Sequence, residues 1–248
     1  MNVLLTNDDG VQAPALRHLK EALAPLGRVV IVAPDRDQSA TSHALTLQRP
    51  FRIQQHEPDI YSVDGTPTDC VITSFYGLLD QRPDLVISGI NLGPNMGEDV
   101  FYSGTVAAAI EGSLQGTPAI AASFAGRDVP DLAEPARFIA RLVRRLLDEG
   151  LPRRHLLNVN IPGGAWEGIR GVKVTRLGSR IYHDTLVKKV DPRGRDYYWI
   201  GGEDPEWESI AGTDFHAVHE GWISVTPLRL DLTADPALRE LEAWSLQK

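Results

Sequence analysis

The chain has 248 residues, 42% of them hydrophobic, with 33 Asp and Glu against 25 Lys and Arg and a formal net charge of −8. A chain of this mass buries roughly 70% of its unfolded surface and leaves about 11,000 Å² exposed, so one large domain or two small ones can form a core without staples. The one cysteine, Cys70, excludes an intramolecular disulfide framework and a cysteine-based zinc site. No apolar run has the length of a membrane span, and Met1 leads straight into fold-like sequence, which together predict a cytoplasmic protein.

Residues 2–6 form a short apolar run of strand length that ends in Asn7-Asp8-Asp9-Gly10, which is turn chemistry. Ala15, Leu16, Leu19, Ala22, Leu23 and Leu26 follow helical spacing up to Gly27, and residues 28–33 are a fully apolar strand closed by Pro34. That is one β-α-β unit with an expected right-handed connection. Two or three short strands are expected within 44–63, and a helix over about 67–79 with Pro67 at an early position. A buried strand over 84–88, a helix over 105–114 and a strand over 118–123 come next. A long amphipathic helix with an arginine-rich outer face (136–147) and a strand over 155–161 complete the set. Apolar strands alternating with helices predict an α/β fold, a Rossmann-like doubly wound and mostly parallel sheet, over residues 1–162.

After Pro162 the pattern changes. Segments 172–177, 180–190 and 196–200 are polar and alternating, with Asp191-Pro192-Arg193-Gly194 as a turn, and read as a protruding antiparallel hairpin. Residues 222–227 are a returning strand that joins the main sheet or its edge, and 236–246 a terminal helix. The boundary near residue 162 is soft, so 163–248 is a C-terminal extension rather than a clearly independent domain.

Charge is uneven along the chain. Residues 1–125 carry 7 basic and 14 acidic side chains, residues 126–248 carry 18 and 19. A broad basic field for gripping long nucleic acid is missing. Ligands of open α/β sheets bind beyond the carboxyl ends of the strands. Three such ends are unusually polar: Asn7-Asp8-Asp9-Gly10, Pro34-Asp35-Arg36-Asp37-Gln38-Ser39 and Ser88-Gly89-Ile90-Asn91. Adjacent carboxylates repel unless a cation sits between them, and oxygen-only donors suit Mg²⁺ or Mn²⁺. The plainer alternative is that Asp8 and Asp9 only cap the next helix. A fourth segment, Gly93 to Gly97 followed by Tyr102-Ser103-Gly104-Thr105-Val106, opens a helix with hydroxyls and N–H groups suited to an anion, or is an ordinary cap. No P-loop and no GxGxxG fingerprint occurs. Cys70 reads as a small core residue, His216 and His219 as structural or surface residues, and Arg144, Arg145, Arg153 and Arg154 as a solvated helix face and loop.

Taken in order along nearly the whole chain, these segments resemble the SurE family of survival-protein nucleotidases. Asn7-Asp8-Asp9-Gly10, Ala33-Pro34-Asp35 with Gln38-Ser39, 65–71, 88–93, 102–106 and 224–228 carry the resemblance. Ala15 and Ala107 depart from it, where the family usually has glycine. The resemblance implies a divalent-metal-dependent phosphatase acting on nucleoside monophosphates. It implies one Mg²⁺ or Mn²⁺ per subunit held by Asp8, Asp9, Ser39 and Asn91, and substrate phosphate held by Asn95, Ser103, Gly104 and Thr105. It further implies a homodimer or homotetramer with exchanged C-terminal segments; hydropathy and charge predict no membrane and no long nucleic acid as partner. Asp8 or Asp9 would then activate a water for in-line attack, with an aspartyl-phosphate intermediate as the disfavoured alternative. A non-catalytic nucleotide- or metal-sensing module on the same strand ends is the rival reading.

Overall fold

The computed structural model describes residues 1–126, 131–150, 155–181, 186–200 and 206–244. The first unit is the expected one: β1 (Asn2–Thr6), α1 (Pro14–Leu23) and β2 (Arg28–Pro34), with β1 and β2 parallel from Asn2↔Arg28 to Leu5↔Ile31. Next come β3 (Ile53–Glu57), β4 (Ile60–Val63), α2 (Pro67–Thr73) and β5 (Leu85–Leu92). Then follow α3 (Gly104–Leu114), β6 (Ala119–Ala125), α4 (Ala133–Glu149) and β7 (His155–Pro162). The C-terminal part adds β8 (Val172–Val174), β9 (Arg180–Ile181), β10 (Leu186–Val190), β11 (Asp196–Ile200) and β12 (Glu206–Trp207). It ends with α5 (Asp214–His219), β13 (Ile223–Arg229) and α6 (Asp235–Glu242).

A nine-stranded sheet runs β3-β4-β2-β1-β5-β6-β7-β13-β8. Its central strands β4, β2, β1, β5, β6 and β7 are parallel, as continuous Val, Ile, Leu and Ala runs require when both faces are covered. The core has two halves. Leu16, Leu19 and Leu23 of α1 pack with Ile139, Val143 and Leu146 of α4 against one face of the sheet. Cys70 and Val71 of α2 pack with Val106, Ala108 and Ala109 of α3 against the other. This is the doubly wound α/β architecture that the alternation predicts. The chain leaves β1 toward β2 on one side while β5 lies on the other, so the topological switch point falls at β1/β5, where ligands of such sheets bind.

Within 44–63 the expected two or three short strands are two, 53–57 and 60–63. Other expectations change in detail. The helix at Pro67 ends at Thr73, where the Ser74 hydroxyl donates to the Cys70 carbonyl at 2.7 Å and the chain widens into a single π-turn to Leu78. Val172–Val174 belongs to the main sheet and not to the hairpin: it pairs in parallel with β13, and just beyond it the buried Thr175 bonds Ser224 and Thr226 at 2.8 and 2.7 Å. Within 180–190, β9 pairs with β12 and β10 with β11; residues 182–185 lie outside the described residues, as do 245–246 of the expected terminal helix. The returning strand does rejoin the main sheet, antiparallel to β7. Among the described residues no helix is long and apolar enough to cross a membrane.

Candidate active site

Three of the four polar segments converge because β2, β1 and β5 are adjacent. After β1 the Asn7 side chain closes a tight turn, donating to the Gly10 carbonyl at 3.0 Å and accepting its N–H at 3.1 Å. The Gln38 N–H donates to the Asp8 carbonyl at 2.8 Å, which ties the β2 end onto that turn. In β5 the pairing with β6 shifts between Ser88 and Asn91, and such a bulge re-aims the side chains that follow it. Gly89 makes this possible: its φ is +127°, and a Cβ there would sit 2.1 Å from the Ala122 carbonyl oxygen. Asn91 donates its amide nitrogen to the Gly93 carbonyl at 2.8 Å, which leaves its oxygen as the group it can offer a cation.

Asp8 is buried beneath the start of α3. Thr105 donates its hydroxyl to Asp8 Oδ1 at 2.6 Å and its N–H to Oδ2 at 3.2 Å. Burial pushes the Asp8 carboxyl above its usual range against these bonds. Asp9 is pushed up to about 6 by burial first and then by the charges of Asp8 and Asp37. Asp37 is held low by the hydroxyl and N–H of Ser39, the latter at 2.7 Å, so it keeps its negative charge toward the pair. Among the described residues, no Lys, Arg or His is within ion-pair range of Asp8 or Asp9. No group of three or more His, Cys, Asp or Glu there could hold a metal by itself. The set reaches four donors only with the neutral oxygens of Ser39 and Asn91. Two uncompensated carboxylates plus neutral oxygens are the donor chemistry of a hard divalent ion.

The segments expected to hold phosphate are engaged differently in detail. Both donors of Thr105 go to Asp8, so Thr105 binds the carboxylate. The Ser103 hydroxyl caps α3 by accepting from the Val106 N–H at 3.1 Å and keeps its own proton to donate. The Gly104 N–H has no partner among the described residues. Asn95 is buried over the end of β6, its amide nitrogen donating to Ser123 Oγ at 2.8 Å. Its backbone is held from β7: Asn160 Oδ1 accepts its N–H at 2.8 Å, and Asn158 and Asn160 donate to its carbonyl at 2.8 and 3.0 Å. Asn95 and the α3 start are not hydrogen-bonded to each other. Asn158, Asn160, Ser123 and Asp37 were not among the sequence-derived site residues. Two asparagines in an otherwise apolar buried strand are the signal for the first two, because a buried amide needs partners.

Beside Ser103 lies an apolar cavity of about 370 Å³ whose wall includes Phe101, Ile110, Leu228 and His43. His43 Nε2 and Glu111 Oε2 are 3.0 Å apart, and Gln115 donates to Glu111 Oε1 at 2.7 Å. The His43 bond is the main cause that holds the Glu111 carboxyl below its usual range. A depressed folded value contributes stability that is present above the unfolded value of 4.5 and is lost as pH falls through the folded one. Glu111→Gln is therefore expected to lower stability at pH 7 by about 1–3 kcal/mol, the usual loss for a hydrogen bond to a charged group. In urea titrations the gap to the parent should close on acidification below the ordinary glutamate range, and a gap that widened instead would contradict the assignment.

The residues expected to be core or surface are placed as follows. Cys70 is fully buried. His219 stacks on Phe215, and His216 lies 3.4 Å from Ser209. Arg144 and Arg145 are exposed on α4, while Arg153 and Arg154 lie outside the described residues.

Comparison with known proteins agrees with this fold. The profile of the family described as survival protein SurE matches residues 3–184. The 5′-nucleotidase SurE of Geobacter sulfurreducens is 52% identical over 247 residues, 99% of this chain and 94% of that one. The 5′-nucleotidase SurE of Vibrio cholerae is 49% identical over 249 residues, 100% of this chain and 99% of that one. The crystal structure of SurE protein from Aquifex aeolicus superposes with a TM-score of 0.88 at 46% identity, covering 98% of this chain and 99% of that one. With its profile, its relatives and its fold in agreement, this chain belongs to the SurE family.

Proposed function

We propose that this chain is a divalent-metal-dependent phosphomonoesterase that hydrolyses nucleoside monophosphates to nucleoside and phosphate, in the class for which its relatives are named. The observation that carries the reading is the uncompensated Asp8–Asp9 pair at the β1/β5 switch point, packed against the start of α3. Asp8, Asp9, Ser39 and Asn91 would hold one Mg²⁺ or Mn²⁺. When bound, such an ion polarises a phosphoryl oxygen and lowers the pKa of water beside it.

The chain's own residues divide the remaining work. Both oxygens of Asp8 are engaged by Thr105, so Asp8 is fixed in place. Asp9 makes no such bonds among the described residues, which leaves a carboxylate oxygen free to act as the base. It orients the attacking water in line with the leaving oxygen, and one of its carboxylate oxygens takes the proton. The Gly104 N–H, the Ser103 hydroxyl and Asn95 stabilise charge on the equatorial oxygens, aided by the positive end of the α3 dipole.

The same reading includes a homodimer or homotetramer built through the C-terminal arm, in the cytoplasm. Every residue of β10 and β11 is exposed, with Trp199 62% and Ile200 91% accessible, and a two-stranded hairpin alone is marginal in water. The chain exposes 14189 Å², against about 11,000 Å² for a compact monomer of its mass.

The test is a phosphate-release panel over nucleoside monophosphates with Mg²⁺, Mn²⁺ and EDTA. Turnover abolished by EDTA and restored by either metal is the expected result. Tight nucleotide binding without phosphate release, across all metals, would establish the sensing module instead.

A further inference from the structure

Asp214 lies far from the strand ends in sequence, at the first position of α5, and is fully buried. A buried carboxylate without a cation is costly, and here three backbone N–H groups surround it. Gly97 donates to Oδ2 at 2.9 Å, and Gly178 and Phe215 donate to Oδ1 at 2.7 and 2.8 Å. Burial pushes the carboxyl up and these bonds pull it back. Asp214 is not needed as a helix cap, because Thr213 supplies that oxygen to the His216 N–H.

The Gly97 and Gly178 backbones meet at this carboxylate. At Gly97 φ is +52°, and a Cβ would lie 2.8 Å from the Gly178 carbonyl oxygen and 3.0 Å from the Trp207 ring. The chain from Asn95 to Gly97 is thus pinned at one end by Asn158 and Asn160 and at the other by Asp214. The next turn, Gly97–Phe101, is gripped from the arm: Arg180 donates its N–H to Glu98 Oε2 at 2.8 Å and Nη1 to Asp99 Oδ1 at 2.7 Å. Trp207 of β12 stacks on Phe215 of α5 with centroids 4.8 Å apart, closing the same cluster.

We propose that Asp214 is a positioning residue that fixes Asn95 for the substrate phosphate and links the phosphate loop to the root of the C-terminal arm. The proposal rests on the reading of Asn95 as a phosphate-binding residue. Removing one oxygen acceptor frees the Gly97 N–H, lets the loop relax, and carries Asn95 away from the phosphate without touching the metal ligands.

The test is steady-state kinetics on the full chain with Asp214→Asn, Asn95→Ala and the double variant, together with Mn²⁺ titration of each. Asp214→Asn is expected to lower kcat roughly ten- to hundredfold, the size of effect a misplacement of about 1 Å produces, with Mn²⁺ affinity unchanged within about twofold. The double variant should be no slower than Asn95→Ala alone within about twofold, since the two changes remove one function. Effects that multiply, or an Asp214→Asn enzyme with unchanged kcat, would overturn the proposal. If Asp214→Asn does not fold, Gly97→Ala perturbs the same junction and must show the same non-additivity with Asn95→Ala, or the proposal fails. An unimpaired Asn95→Ala enzyme would remove the phosphate reading and this proposal with it, whereas an impaired Asn95→Ala beside a normal Asp214→Asn removes only the latter.

Discussion

Asp8→Asn is expected to lower metal-dependent phosphate release about a thousandfold, because a catalytic metal supplies several kcal/mol of charge stabilisation and each 1.36 kcal/mol is tenfold in rate. The fold should survive. The new amide can accept the Thr105 N–H through its oxygen and donate to the Thr105 hydroxyl, so both contacts persist after that hydroxyl rotates. Stability of the EDTA-treated protein should be equal or higher at neutral pH. Both carboxyls have raised folded values, so without metal they bind protons more tightly folded than unfolded. Stability then falls as pH rises from the unfolded value of 3.8 through about 6, where Asp9 loses its proton. Removing the Asp8 charge also removes one of the causes that raise Asp9, so the variant should show a flatter decline over that window. Calorimetry of both proteins in EDTA between pH 4 and 8 measures it. A folded Asp8→Asn enzyme with full turnover would end the metal assignment.

The strand ends were legible in sequence because parallel strands buried on both faces are uninterrupted apolar runs. Where Leu5-Thr6 gives way to Asn7-Asp8-Asp9, or Val32-Ala33 to Pro34-Asp35, the change of chemistry marks the carboxyl end of a strand. What single residues do once strands are adjacent is harder to see. Thr105 lies in a helix-start pattern that fits an anion, but the anion it holds is Asp8, a partner 97 positions earlier that comes near only because α3 packs on β5, the neighbour of β1. Val172–Val174 alternates like an exposed hairpin strand, yet its neighbours bury hydroxyls that satisfy one another. Asp214 is one acid among 33 Asp and Glu residues, and its importance depends on Gly97 and Gly178 meeting in space. Long-range backbone donors leave no periodic trace. The net charge also takes a more local meaning. The −8 speaks against long nucleic acid, while the negative potential at Asp8, Asp9 and Asp37 is what a divalent ion would reverse before a phosphate approached.

Gly104→Ala is expected to damage stability and turnover together, and the contrast with Asp8→Asn separates support of the site from its chemistry. The α3 N-terminus reaches Asp8 only because residue 104 lacks a side chain. A Cβ there would lie 2.9 Å from Asp8 Cβ, 3.1 Å from Asp8 Oδ2 and 3.3 Å from Pro67 Cγ. Pro67 is at the start of α2 inside a capping box and cannot retreat freely, so the strain falls on α3 or on the Asp8 turn. The first bond to fail is Thr105 N–H to Asp8 Oδ2, already 3.2 Å. Overpacking of this kind destabilises by about 1–3 kcal/mol, and a shift of about 1 Å between α3 and the carboxylates lowers turnover about a hundredfold. Unlike Asp8→Asn, this variant keeps all four proposed metal ligands, so Mn²⁺ should still bind, more weakly, by titration. Gly77→Ala is the control: nothing lies within 4 Å of a Cβ at that position, so its urea midpoint should be unchanged or higher by up to about 1 kcal/mol of stability. Normal turnover and stability in Gly104→Ala would show that α3 does not hold Asp8, and would shift the support of the carboxylate pair to the Asn7 turn and the Gln38 N–H.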